Sequence, residues 1–351
     1  MALIPAHNEG DSIGATLTAL LEQERLPDEI VVIPNGCTDD TAEVARRFPV
    51  TVMELPALEH RKSEALNLGW FAHGYDADVI ICLDADTALP PNAVGDWERE
   101  MRADPTLGGS SSKFTMQQPG FLPRLQKAEF AKWTDTALRR GYTTVLAGTG
   151  CAIRGEALRQ VAEDRPEGPW AYSSQVEDFR LTYDIRALGY RCHVSPTVRA
   201  YTDSMPTIRA LWGQRMKWQV GTVEDLLDLG VNRLTLLDWW QQVAGLSLAA
   251  LRISWAALMV TLVVSGWFAF SWLWLVAIPA LFALGEFLSA LRIPHRDRKD
   301  LIMAALIVPS ELFAWLRAGW FITAWVAVMR TKITGHRPDR WGRQYQAEGV
   351  I

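Results

Sequence analysis

Two aspartates separated by one residue, Asp84 and Asp86, are the side chains best placed by type and spacing to do chemistry. They follow the apolar run 77–83, which we interpret as a buried parallel strand because it is short and rich in β-branched residues. Ligands of open α/β sheets bind beyond the carboxyl ends of strands, and Mg²⁺ takes one or two carboxylates together with water and phosphate oxygens. The pair predicts a site for a divalent metal ion and a nucleotide diphosphate; a solvated strand end is the plain alternative.

Strands and helices that could position this pair alternate along the first part of the chain. This order implies a mostly parallel sheet with right-handed crossovers. We therefore predict an α/β fold of the doubly wound nucleotide-binding class. No Gly-x-Gly-x-x-Gly follows the first strand, which disfavours a dinucleotide cofactor. The predicted strands lie at 2–4, 29–33, 50–55 and 77–83, and the predicted helices at 12–24, 38–48 and 62–74.

The following segment, up to about residue 230, mixes both kinds of element. A run of small residues at 146–153 predicts a loop that enters a strand. Gly189 stands where a helix ending at residue 188 would need its terminating glycine. Further strands are predicted at 108–114 and 190–194, and further helices at 122–140 and 177–188.

Composition divides the 351-residue chain into a charged part, 1–230, and a strongly apolar part, 243–330. The net charge of −5, without basic clusters interleaved with aromatic residues in the first part, argues against a nucleic acid as partner. The four cysteines form no Cys-x-x-Cys pair, which fits reduced thiols better than a zinc site.

The apolar part predicts a membrane region at 244–330, because the uncharged stretch is long enough for two spans. We expect a hairpin at about 246–291 with its turn near Gly266, preceded by an interfacial helix at 231–243. The basic loop that follows the hairpin, at 292–299, and the basic tail at 331–351 should be cytoplasmic by the positive-inside rule. The segment at about 301–329 fits either a further span or a re-entrant helix. It carries Glu311 and Arg317, each costing about 3 kcal/mol at a bilayer centre.

Two further groups of side chains have chemistry of their own. Lys62 opens a predicted helix, where backbone N–H groups already favour anions, so it could meet a phosphate; a solvated lysine is the alternative. Asp178 could act as a base toward an attacking hydroxyl. Alternatively, its negative charge could only stabilise the helix that it begins, by interacting with the helix dipole.

Taken in order, the motifs resemble those of the membrane-associated family 2 glycosyltransferases. That family comprises inverting enzymes with a GT-A nucleotide-sugar fold, and it includes cellulose, chitin, hyaluronan and poly-N-acetylglucosamine synthases. The resemblance covers about residues 2–225. It is carried by five motifs: Ile4-Pro5-Ala6-His7-Asn8-Glu9, the segment 32–41, Arg61-Lys62-Ser63-Glu64-Ala65-Leu66-Asn67, Asp84-Ala85-Asp86, and Glu177-Asp178 with Gln214-Arg215-Met216-Lys217-Trp218.

The resemblance implies roles for the donor side of a site. Asn35 would read the base where the family usually has Asp, and an amide adds a donor that a carboxylate lacks. Asp84 would face the ribose and the metal, and Asp86 would ligate Mg²⁺ or Mn²⁺. The implied nucleotide contacts are Pro5, Ala6, Asn8, Glu9, Asn35, Lys62 and Asp84.

For the acceptor side, the resemblance implies Asp178 as the catalytic base. Lys217 stands where processive members have Arg, so the charge is kept but the bidentate fork is lost. Trp218 would stack on the acceptor sugar. The full set implied at the acceptor or pyrophosphate is Glu177, Gln214, Arg215, Lys217, Trp218, Gly148 and Thr149.

We thus expect an integral membrane enzyme with a cytoplasmic catalytic domain and a membrane lipid environment. It would transfer a sugar from a nucleotide-sugar donor, a UDP-sugar such as UDP-GlcNAc, to a glycan or lipid-linked acceptor. Three alternatives stay open: single transfer to a polyprenyl phosphate, a membrane-anchored nucleotidyltransferase, and a non-enzymatic membrane adaptor with a degenerate fold.

Overall fold

A computed structural model gives the structure of the chain. It describes residues 1–266, 280–281, 284–293, 296–335 and 339–348.

Contacts between residues divide the chain into two units. The first comprises Met1–Gln118 and Trp133–Ser204, and the second Pro119–Lys132 and Met205–Ile351. This division differs from the predicted first domain of 1–230, because the helix that begins at Ile208 packs with the second unit.

The first unit contains a seven-stranded sheet. Its strands are β1 (Ala2–Ala6), β2 (Ile30–Pro34), β3 (Thr51–Val52), β4 (Val79–Cys82), β5 (Leu107–Thr115), β6 (Cys151–Arg154) and β7 (Arg191–Tyr201). They lie side by side in the order β3-β2-β1-β4-β6-β5-β7. β6 is antiparallel to both of its neighbours, and the other neighbouring pairs are parallel, so the predicted mostly parallel α/β sheet is confirmed.

Several strand ends differ from the predicted ones. β1 continues through Pro5 and Ala6, which pair with Ile33 and Pro34 of β2, so these two residues lie in a strand and not in the predicted loop. β3 is only two residues long. β7 continues to Tyr201 because it pairs with β5 far beyond the predicted end at residue 194.

Helices cover both faces of this sheet, and side chains alternate between two cores as the pleat requires. Ile4 of β1 belongs to one core, together with Leu17 and Trp97 from the helices on that face. Leu3 belongs to the other core, together with Leu66. The α-helices wholly within the unit are α1 (Gly10–Leu21), α2 (Thr41–Ala45), α3 (Arg61–Gly69), α4 (Ala93–Ala103), α6 (Gly155–Glu163) and α7 (Glu177–Ala187). A π-helical turn, Trp70–Gly74, continues α3.

The helix α5 (Phe121–Arg140) contributes its first part to the second unit, which is otherwise built from helices in its described residues. Further helices of this unit are α8 (Ile208–Leu229), α9 (Leu236–Val264), α10 (Arg298–Ala305), α11 (Ile307–Thr334) and α12 (Arg340–Glu348). α8 packs on α11 through Val220 and Val223, against Ala324 and Val328.

The predicted separate interfacial helix at 231–243 is not a separate element. Its second half forms the first turns of α9, a single 29-residue helix. No glycine or proline interrupts the sequence between Leu234 and Val243, which explains the continuity. α9 ends just before Gly266, whose φ of +71° fits the predicted turn there; the rest of the predicted hairpin lies mostly outside the described residues.

Two helices in the described residues, Leu236–Val264 and Val308–Thr334, are long and apolar enough to cross a membrane. They run antiparallel, since Gln242 bonds Trp325 while Arg252, further along α9, pairs with Glu311, earlier in α11. α11 is one unbroken 28-residue helix where the sequence left open a span or a re-entrant helix.

Candidate active site

Asp84 lies just beyond the end of β4, as predicted. The apolar side chains of β4 pack in the core, and the chain leaves the sheet after Cys82. The backbone N–H of Asp84 donates to the carbonyl of Gly148 at 3.0 Å, and the carbonyl of Asp84 accepts from Thr87 N–H at 3.2 Å. These bonds hold the Asp84 carboxylate at the edge of the sheet.

Lys62 reaches this carboxylate from the first turn of α3. Its Nζ donates to Asp84 Oδ1 at 2.6 Å and lies 3.2 Å from Glu177 Oε1. Burial alone would lower the pKa of Lys62, but the two carboxylates outweigh it and raise that pKa well above its ordinary value. The lysine is therefore a permanent cation that links α3, the end of β4 and the start of α7.

Asp178 stands in the first turn of α7, next to Glu177, and lines the same cleft as Lys62 and Asp84. One of its oxygens accepts from Phe179 N–H at 2.8 Å. Burial and the neighbouring Glu177 charge raise the pKa of Asp178 to about 6, although Lys62 opposes the shift. A carboxylate with such a pKa can accept a proton near neutral pH.

Asp86 faces a different set of neighbours. Its oxygens lie 3.4 and 3.5 Å from the hydroxyl of Thr202, which follows β7. Burial first, and then the charges of Asp84 and Glu9, raise the pKa of Asp86 to about 7. An added cation would relieve this repulsion, and the donors are hard oxygens, so Asp84 and Asp86 fit Mg²⁺ or Mn²⁺. In the described residues no cluster of three or more His, Cys, Asp or Glu side chains forms an all-protein metal site.

The loop after β1 is shaped by its predicted nucleotide residues. Asn8 has a φ of +57°, uncommon outside glycine, and its side chain accepts from Thr38 N–H at 2.7 Å. The backbone N–H of Glu9 donates to the Thr41 hydroxyl at 2.8 Å. These contacts brace the loop against the one after β2, and a nucleotide contact of Asn8 or Glu9 stays a prediction.

Asn35 is 7 % exposed, and its side-chain oxygen accepts from Leu58 N–H at 3.1 Å. That bond uses one of the two lone pairs of the amide oxygen, and the base contact of Asn35 stays a prediction. Gly36 follows with a φ of +60°, a left-handed conformation that glycine adopts readily in turns. Asp39 caps neighbouring backbone, accepting from Gly10 and Thr41 N–H groups.

Gly148 and Thr149 lie in the segment that enters β6. A Cβ on Gly148 would stand 2.6 Å from Lys62 Nζ and 3.3 Å from both carboxylate oxygens of Asp84, so only glycine leaves this space open. The hydroxyl of Thr149 is buried without a hydrogen-bond partner among the described residues. Gly148 lines the carboxylate cleft. A contact of Gly148 or Thr149 with the acceptor or the pyrophosphate stays a prediction.

The four predicted residues at 214–218 all belong to α8 in the second unit. Arg215 is 3 % exposed and donates to Glu129 of α5 at 2.9 Å. Its guanidinium carbon also lies 4.5 Å from the centre of the Trp218 ring. The structure thus gives Arg215 a packing role between α5 and α8. The ligand contacts predicted for Gln214, Arg215, Lys217 and Trp218 stay predictions, as does their convergence with the cleft.

Two residues that contact the predicted site residues were not identified from the sequence. Thr202 is separated from Asp86 by 116 positions, and Glu129 lies 86 positions before Arg215. Neither belongs to a recognisable motif. A carboxylate on an otherwise amphipathic α5 was the one signal for Glu129, and it does not specify a partner.

A family model described as glycosyl transferase family group 2 matches residues 79–288. The poly-beta-1,6-N-acetyl-D-glucosamine synthase of Staphylococcus aureus (strain MSSA476) is 27 % identical over 233 residues, which cover 64 % of this chain and 55 % of that protein. The synthase of the same name from Staphylococcus epidermidis is 26 % identical over 234 residues, with the same coverage. The chain spans about half the length of these curated relatives.

One solved structure aligns with most of the chain. It is mannosyltransferase PcManGT from Pyrobaculum calidifontis in complex with GDP-Man and Mn²⁺, with a TM-score of 0.64 and 20 % sequence identity. The alignment covers 93 % of this chain and 86 % of the other. The two proteins therefore share a fold.

Proposed function

The chain belongs to glycosyl transferase family group 2 and has a GT-A fold, and from this premise we propose that it transfers a sugar with inversion, using a divalent metal. The donor is a nucleotide diphosphate sugar, and the acceptor is a glycan or lipid-linked hydroxyl at a membrane. One observation carries the proposal. Asp178, with its pKa raised to about 6, lines a single cleft with Lys62 and Asp84.

The reaction needs one base opposite the leaving group. Asp178 takes the proton from the acceptor hydroxyl as the acceptor oxygen bonds to the anomeric carbon of the donor. The bond from that carbon to the diphosphate oxygen breaks with its electron pair, and the nucleoside diphosphate leaves. A single displacement of this kind inverts the anomeric centre.

Asp84 and Asp86 would hold the metal, Mg²⁺ or Mn²⁺, which neutralises the charge that develops on the departing diphosphate. Their support is the fit of their hard oxygen donors and the uncompensated negative charge around Asp86. The presence of Mn²⁺ in the complex of PcManGT agrees with this choice.

For the donor, we propose a UDP-sugar such as UDP-GlcNAc. The support is the likeness to the staphylococcal synthases, whose printed name gives N-acetylglucosamine as the polymer unit. PcManGT binds GDP-Man, so the nucleobase of the donor has to be identified by experiment. Asn35, with the amide oxygen already bonded to Leu58, would offer its NH₂ group to the base.

The site of action is proposed to be the cytoplasmic face of a membrane. α9 and α11 are long and apolar enough to span one, and their antiparallel pairing brings Leu236 and Thr334 to the same end of the pair. The basic residues Arg330 and Lys332 lie near that end, which the positive-inside rule places in the cytoplasm.

The test uses the full chain in lipid nanodiscs with Mn²⁺ and a panel of UDP-, GDP- and dTDP-sugars, with membrane lipid extract as acceptor. We expect release of nucleoside diphosphate with one donor only, and a product of inverted anomeric configuration by NMR. Release of pyrophosphate would identify a nucleotidyltransferase instead. A mannosyl or glucosyl polyprenyl phosphate as sole product would favour single transfer to a lipid.

No release with any donor, from protein that binds none of them, would favour the adaptor. Retention of the anomeric configuration would contradict the role of Asp178.

A further inference from the structure

Lys62 is bonded to one of the two carboxylate oxygens that Asp84 would offer to a metal ion. Its Nζ lies 2.6 Å from Asp84 Oδ1, a short charge-assisted bond, and 3.2 Å from Glu177 Oε1. We propose that Lys62 is a resident counter-cation that keeps Asp84 from ligating a divalent metal until a nucleotide diphosphate draws the ammonium group away. This rests on the proposed function, because it assigns the order in which metal and donor bind.

The space around the ammonium group is built for it. Gly148 passes so close that a Cβ there would stand 2.6 Å from Nζ, while the same atom would lie 3.3 Å from both Asp84 oxygens. The backbone N–H of Asp84 is bonded to the carbonyl of this same glycine. Gly148 therefore lies against both partners of the Lys62–Asp84 ion pair, and its lack of a side chain leaves room for that pair.

The charges of the cleft explain why one cation is held there. Among the residues that line it in the described chain, Asp84, Glu177 and Asp178 are carboxylates and Lys62 is the single lysine or arginine. The ammonium group forms ion pairs with Asp84 and Glu177 at the same time. A second cation at Asp84 would have to displace the lysine or sit beside it, and like charges a few ångströms apart repel strongly in a partly buried site.

A nucleotide diphosphate changes this balance because it brings negative phosphate oxygens to the same edge of the sheet. Lys62 sits at the start of α3, a nine-residue helix, and its long flexible side chain can move to a phosphate without movement of the backbone. Asp84 is then released toward a metal. Metal and nucleotide therefore bind together, and the free protein holds the metal only weakly.

The decisive measurement is Mn²⁺ binding to the full chain in nanodiscs without nucleotide, followed by EPR of free Mn²⁺. Removing the ammonium group in Lys62→Gln should tighten Mn²⁺ binding by about tenfold or more, since a cation near the site is gone. Lys62→Met keeps an unbranched side chain of similar length without the charge, so it should also tighten binding. Lys62→Arg keeps a cation and should bind Mn²⁺ as weakly as the wild type.

Controls locate the effect. Lys113→Gln removes a lysine of the same unit that bonds the Pro196 carbonyl outside the cleft, and it should leave Mn²⁺ binding unchanged. Adding Asp86→Asn to Lys62→Gln should abolish the gain. Thermal melting identifies any variant that does not fold, and if Lys62→Gln does not fold, Lys62→Met decides.

The proposal is overturned if folded Lys62→Gln or Lys62→Met binds Mn²⁺ no more tightly than the wild type. A second series with UDP or GDP present separates this result from failure of the proposed function. If neither nucleotide strengthens Mn²⁺ binding by the wild type, the assignment of a nucleotide-diphosphate site fails, whatever Lys62 does to the metal alone.

Discussion

The ammonium group of Lys62 and the carboxylate of Glu177 lie 3.2 Å apart, although 115 positions separate them in the chain. This ion pair joins the start of α3 to the start of α7. It thereby sets the position of Asp178, the next residue of α7, relative to Asp84. The electrostatics of the whole cleft depend on this one cation, and several measurable consequences follow from its placement.

The pH dependence of turnover should report Asp178. Because burial and Glu177 raise its pKa to about 6, the base is protonated and inactive below that pH and active above it. The rate should fall about tenfold per pH unit on the acid side. Lys62 lowers this pKa, so Lys62→Gln should move the acid limb to higher pH. An acid limb that stays in place in the variant would contradict this coupling.

The buried pair Glu129–Arg215 should matter for stability. Glu129→Gln leaves the guanidinium of Arg215 uncompensated at 3 % exposure, which should cost about 3–5 kcal/mol. The exposed pair Arg46–Glu54 supplies the control, since Glu54→Gln should cost less than about 1 kcal/mol. Thermal unfolding in nanodiscs measures both. Equal melting temperatures for the two variants would show that the buried pair does not stabilise the protein.

Substitutions at two glycines with positive φ should distinguish the cost of backbone strain from the cost of a steric clash. Gly36 has a φ of +60°, and a Cβ there would stand 2.7 Å from the Ala57 Cα, so Gly36→Ala meets strain and a backbone clash. Gly141 has a φ of +73° but no atom within 4 Å of its Cβ position. Gly141→Ala should cost about 1–2 kcal/mol, and Gly36→Ala should cost more. The order of the two melting temperatures checks this.

The pair Arg252–Glu311 joins the two helices that could span a membrane, at 3.3 Å. Glu311→Gln leaves an arginine unpaired between apolar helices and should destabilise the pair by about 1–3 kcal/mol. The charge exchange Arg252→Glu with Glu311→Arg should recover part of that loss, and a double-mutant cycle by thermal unfolding measures the coupling. A coupling energy of zero would mean that this contact does not hold α9 to α11.

Local sequence signals located most of the first unit. β4 is short, β-branched and buried, and therefore predicted the place of Asp84 correctly. The helical spacing after Lys62 and after Glu177 likewise located α3 and α7. What the sequence could not supply was the reversed direction of β6, because its partners β4 and β5 are set by contacts distant in the chain.

The parts that sequence reasoning missed are contacts between distant residues. The sequence predicts a phosphate contact or a solvated position for Lys62, and neither includes its ion pairs with Asp84 and Glu177. The ligand contact predicted for Arg215 stays a prediction, and its ion pair with Glu129 was not predicted. Charged residues on helices have no periodic signal that identifies a partner, so only the packed structure can pair them.

The most direct test of the central claim is turnover and donor binding by Asp178→Asn in nanodiscs, with Asp76→Asn, an exposed residue of the same unit, as matched control. We expect Asp178→Asn to bind the nucleotide sugar and Mn²⁺ about as well as the wild type, while its rate of nucleoside diphosphate release falls by about 10²–10⁴-fold. Asp76→Asn should retain the wild-type rate. Wild-type turnover by a folded Asp178→Asn protein would contradict the role of Asp178 as the catalytic base.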